Sequence, residues 1–152
     1  FADQCHHGKE EDILFDEMAK SGFTKNAGPL AVMLHEHEVG REYVRELARL
    51  GEKQEPWSSA DLNALRNAAL GYTALLRQHI RKEDDILYPM AEARLPVEAL
   101  ETIERRFEAF EAGKTGHHEH DRLLELAGEL AARHGPPSVR ASQEDAPPSA
   151  SG

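Results

Sequence analysis

Apolar residues return at steps of three and four along most of this chain, which makes one face of a helix apolar and the rest polar. The first such run, from about Phe1 to Lys20, is ended by Ser21-Gly22. A second opens at Gly28-Pro29, where a proline suits a first helical position, and continues to about Leu50 before Gly51. A polar loop, GEKQEPWSS, follows, and its Ser58 or Ser59 is placed to cap a long third helix reaching about Met90. Pro89 should kink or end that helix near Tyr88. Val97, Leu100, Ile103, Phe107 and Phe110 mark another helix, interrupted at Gly113 and Gly116. A last one, HHEHDRLLELAGELAARH, stops at Gly135-Pro136-Pro137. No stretch alternates at period two, so the expected fold is all-α, an up-down antiparallel four-helix bundle over residues 1–135. Residues 136–152 are polar and rich in proline and serine, the composition of a disordered tail.

Some residues inside these apolar stripes are polar. In the third helix Tyr72, Leu75, Leu76, Ile86, Leu87 and Met90 define a face, with His79 and Glu83 one turn apart at its centre. Taken singly, such a pair reads as an i,i+4 contact supporting the helix. A glutamate in a core stripe is costly, however, unless it is paired or binds a metal. In the second helix His37 shares the face of Met33, Val44, Leu47 and Ala48, while His35 points to solvent and Glu36 lies at the edge. A lone inward histidine is ordinarily a hydrogen-bonded core residue. The first helix offers two pairs, His6–Glu10 and His7–Glu11, and phase alone leaves both open.

An internal repeat chooses between them. HHGKEEDILF and HIRKEDDILY align with His6 on His79 and Glu10 on Glu83, which leaves His7 as a flanking, partly solvated residue. Three helices thus direct His-x-x-x-Glu, His and His-x-x-x-Glu toward one interior. Imidazole with carboxylate suits iron, manganese or zinc, although a closed structural zinc site usually takes four ligands, often thiolates. A ferritin-type di-iron site is disfavoured, because no Glu-x-x-His occurs in the chain.

Composition narrows the partners. A formal net charge of −10 opposes a nucleic-acid partner. No apolar run is long enough to span a bilayer, so no membrane partner is expected. The single cysteine, Cys5, excludes an internal disulfide and points to a reducing, cytoplasmic setting. The chain begins at Phe1 inside a helical phrase, which reads as a sequence cut from something longer.

The phrases HHGKEEDILF, GPLAVMLHEHEVGR and HIRKEDDILYPM, in that order, resemble the bacterial branch of the hemerythrin-like, or HHE cation-binding, family. The resemblance covers roughly residues 1–135. It implies a bundle holding two non-haem iron ions, with a bridging oxo or hydroxo group. His6, His37 and His79 would be terminal ligands, and Glu10 and Glu83 bridging carboxylates. It also implies O2, another small diatomic or peroxide as the ligand, for storage, transport or sensing, and a binding protein rather than an enzyme. The rival readings are an enzyme that handles peroxide or nitric oxide or donates iron for cluster repair, and a metal-free structural bundle. Gly40 would leave room for a small ligand or serve close packing; Tyr72 would hydrogen-bond that ligand or simply pack. The family's first ligand is a histidine on a helix preceding residue 1, so the bundle is expected to be N-terminally truncated. His120 or His117 on the last helix could stand in for that ligand. Asp16 replaces the proline that often follows the first phrase.

Overall fold

The computed structural model describes residues 6–114 and 117–134, without the side chains of Lys114, residues 117–121 and Leu123. Every described element is helical, and the chain folds as the expected all-α bundle. Residues 6–9 lead into a π-helical turn, π1 (Glu10–Leu14), which runs on as α1 (Phe15–Lys20). Next come α2 (Gly28–Gly51) and α3 (Ser59–Lys82). A second π turn, π2 (Glu83–Leu87), leads from α3 into α4 (Tyr88–Arg94), and α5 (Val97–Lys114) and α6 (His117–His134) complete the order.

Punctuation residues do what their chemistry requires. Gly22 takes φ +95°, a left-handed value open to glycine, and this lets the Phe23 N–H reach back to the Met18 carbonyl and close α1. Ser58 rather than Ser59 caps α3. Its hydroxyl accepts the Asp61 N–H at 3.2 Å, while the Asp61 carboxylate accepts the Ser58 N–H at 2.9 Å. Pro89 does not end the third helix, which continues to Arg94; the winding changes just before the proline instead.

The two π turns fall on the two copies of the repeated phrase. In each, a glutamate carbonyl is bonded by the N–H five residues on: Glu10 by Phe15, Glu83 by Tyr88. One expected member of the inward face is corrected here. In π2 Leu87 faces inward, 1% exposed, while Ile86 is turned out at 49%; its counterpart Ile13, on the π turn that α5 packs against, is buried at 3%. Val44 is 47% exposed: α2 meets α3 at Gly40 and at Tyr43, whose ring lies over Gly71. Tyr72 and Leu75 pack on Gly40, whose added Cβ would stand 3.7–3.8 Å from them.

Phe15, Met18, Leu30, Met33, Leu87 and Ala91 form the centre of the core. Helix α5 closes it with Ile103, Phe107 and Phe110, and comes close enough that a Cβ on Gly8 would lie 3.0 Å from Phe110. Arg106 fastens α5 to the first helix, donating to Glu17 Oε1 at 3.0 Å and to the Asp12 carbonyl at 2.8 Å. In α6, Leu124 and Leu130 are exposed. No described helix is long and apolar enough to cross a membrane.

Phe15 is fully buried and Leu124 is 59% exposed, so the two should respond differently to truncation. Phe15→Ala should lower the unfolding free energy by about 3–5 kcal/mol in a denaturant titration. Leu124→Ala should change it by less than about 0.5 kcal/mol.

Candidate metal centre

Glu10, His37, His79 and Glu83 are all buried, with relative exposures of 1–3%. They arrive from three helices, and each glutamate is the first residue of a π turn. His37 Nε2 lies 3.2 Å from His79 Nε2 and 3.2 Å from Glu10 Oε2. His79 Nε2 lies 2.9 Å from Glu83 Oε1. One ligand atom from each of the four falls within 4.8 Å of the others.

The outer ring nitrogens also have carboxylate partners. His37 Nδ1 lies 2.7 Å from Glu11 Oε1, and His79 Nδ1 lies 3.0 Å from Glu36 Oε2. A carboxylate can only accept, so a proton carried on either Nδ1 is donated to its outer carboxylate. A neutral imidazole has one N–H, so both Nε2 atoms then present lone pairs to the centre. Arg41 holds Glu11 at 2.7 Å and Lys82 holds Glu36, which fixes the outer carboxylates in turn. Glu10 Oε1 accepts the Tyr88 hydroxyl at 2.8 Å, but its Oε2, facing the histidines, is buried and accepts no hydrogen bond from the described residues.

Lone pairs and carboxylate oxygens facing one another in a dry interior repel unless a cation sits among them. Metal–imidazole bonds of about 2.0–2.1 Å, roughly at right angles, separate two donors by about 3 Å, close to the spacing seen here. The donor set therefore fits a metal ion. Without one, protons must take that place. Hydrogen bonding to Glu83 raises the His6 pKa above its ordinary value. Burial pulls the His79 pKa down, but the hydrogen bonds to Glu83 and Glu36 outweigh it and leave it raised. For Glu83, burial opposes ionisation, yet the bonds to His6 and His79 hold it well below the usual carboxylate range. Burial, with Glu10 alongside, pushes the Tyr88 phenol up, so it remains a donor.

His6 stands differently. Its side chain is 39% exposed, and its Nε2 reaches Glu83 Oε1 at 3.4 Å and Glu10 Oε2 at 3.7 Å from outside the tighter cluster. His7, expected to be a partly solvated neighbour, is buried at 7% and stacks on His37 with ring centroids 3.9 Å apart. The segment 6–14 winds partly as π-helix, so an estimate at 100° per residue misplaces it. Burial and the neighbouring His37 hold His7 down to about 4, so it is neutral near pH 7. Glu11 and Glu36 were not foreseen as partners of the core histidines; their signal was an acid directly beside Glu10 and His37. The side chains of His117 and His120 lie outside the described residues.

Fold and site together define an all-helical bundle with a buried histidine–carboxylate centre suited to a cation. The chain belongs to the hemerythrin family: the model of the hemerythrin HHE cation-binding domain matches residues 1–91. No curated protein and no solved structure matches the chain.

Divalent metal should raise the melting temperature, contributing about 2.7 kcal/mol at a free concentration 100 times the dissociation constant. Binding should release protons. Because His6 and His79 titrate above the ordinary histidine value, affinity should fall as pH drops through that region. Calorimetry in buffers of different ionisation enthalpy measures the protons released.

Proposed function

We propose that this chain is a hemerythrin-like non-haem di-iron protein that binds O2 for storage, transport or sensing. The observation that carries the reading is the convergence of His37 Nε2, His79 Nε2, Glu10 Oε2 and Glu83 Oε1 on one buried point, with Glu11 and Glu36 placed to take the Nδ1 protons of the two histidines. His6 supports two ions rather than one. It approaches both carboxylates but stands apart from the other imidazoles, so Glu10 and Glu83 have imidazoles to share on two sides. In this reading His6, His37 and His79 are terminal ligands and Glu10 and Glu83 bridge. A pair of ferrous ions would supply the electrons for reversible O2 binding.

The protein's own residues do the rest. Glu11 and Glu36 keep the Nε2 lone pairs of His37 and His79 aimed inward and raise their basicity, which favours the oxidised metal. Tyr88 occupies one oxygen of Glu10 and leaves the other for the centre. Phe15, stacked beside His37 at 6.0 Å, and Leu87 keep bulk water from the inner side. The half-exposed His6 marks the side by which a small ligand can enter.

Loading with ferrous iron without oxygen should give two irons per chain, and admitting O2 should produce a visible absorption that anaerobic purging removes. His79→Ala and Glu83→Ala should each hold fewer than one iron. Unchanged metal content in both variants would sink the reading and favour a structural bundle. Sustained consumption of added peroxide, without a stable oxygenated form, would favour an enzyme at the same residues.

A further inference from the structure

His7 is the one buried imidazole in this cluster that the ligand set above leaves without a task. It lies beside His6 in the repeated phrase, at the position of Ile80 in the other copy, so the internal symmetry does not account for it. A ring nitrogen of His7 lies within 4.8 Å of ring nitrogens of both His37 and His79. Its plane is nearly parallel to that of His37, at 13° and 3.9 Å between centroids, and nearly perpendicular to that of His79, at 82° and 6.0 Å.

Parallel rings decide what His7 can do. A metal ion lies close to the plane of the imidazole that binds it, so two stacked, parallel imidazoles cannot share one ion. They can serve two ions side by side, and the ions of dinuclear sites are about 3.5–4 Å apart, which matches the stacking distance. The His37 and His79 rings are steeply inclined, at 70°, with their Nε2 atoms 3.2 Å apart, as two ligands of a single ion would be. From this geometry we infer that His7 is a further metal ligand, binding the ion next to the one held by His37 and His79. This inference rests on the two-metal reading. It gives the second ion an imidazole seated in the core, where His6 alone would hold it from the solvent side. The bland alternative is a ring that only wedges His37 in place.

His7→Phe separates these roles, because it keeps a flat ring against His37 and removes the donor nitrogens. Iron titrations followed by elemental analysis should show the wild-type chain holding two irons. His7→Phe should keep the first and bind the second about tenfold more weakly or worse. Pulsed EPR of the mixed-valence wild-type and variant proteins should show one coordinated imidazole nitrogen fewer in the variant, a change that a purely packing role would not cause. Should His7→Phe fail to fold, His7→Gly with millimolar imidazole replaces it. Recovery of the second iron on adding imidazole supports ligation, and no recovery overturns it. Two irons bound by His7→Phe with wild-type affinity and the same nitrogen count would also overturn the role of His7, leaving the di-iron reading intact. A wild-type chain that binds no iron would overturn both.

Discussion

Four acceptor atoms converge in the dry interior of this bundle, and the rest of the arrangement follows from the need to put a positive charge among them. Glu10 Oε2, Glu83 Oε1 and the Nε2 atoms of His37 and His79 approach within 2.9–3.2 Å in successive pairs. Such a grouping is unfavourable in a low-dielectric core without a cation. A hydrophobic core of similar volume would be the easier way to stabilise four helices, so the group is difficult to explain by stability alone.

Much of the local structure serves that grouping. Both copies of the repeated phrase wind as π turns, in which the Glu10 and Glu83 carbonyls bond N–H groups five residues on. Each π turn opens on a buried glutamate and closes on a buried leucine, Leu14 or Leu87. Around the centre, Arg41–Glu11–His37 and Lys82–Glu36–His79 form two relays of the same design, each crossing from one helix to the next. With its proton on the outer nitrogen, held by the relay, each histidine turns a lone pair to the centre. The halves differ in detail: Tyr88 donates to Glu10, whereas its counterpart in the repeat, Phe15, has no hydroxyl and stacks beside His37.

The helices and most of the inward polar residues could be read from the sequence because both depend on local periodicity. Glu10, His37, His79 and Glu83 stand out by occupying apolar faces, and the repeat selects His6–Glu10 over His7–Glu11 in one step. Three things could not be read that way. The depth of His7 depends on a change of helical winding that no single-residue propensity signals. The tasks of Glu11 and Glu36 depend on which helix lies opposite, since each reaches a histidine on another helix. The exposure of Val44 accompanies the seating of the Tyr43 ring over Gly71, a contact between α2 and α3 that only tertiary packing specifies. Composition was informative in a different way: it argued against nucleic acid and membrane partners without indicating what the centre holds.

The most direct test of the account is to see where metal goes. Crystals of the protein loaded with ferrous iron, measured on both sides of the iron absorption edge, would give an anomalous difference map. The account expects two peaks between Glu10 and Glu83, one of them within bonding distance of both His37 Nε2 and His79 Nε2. A map with no peak among these residues, from crystals shown to contain iron, would contradict it.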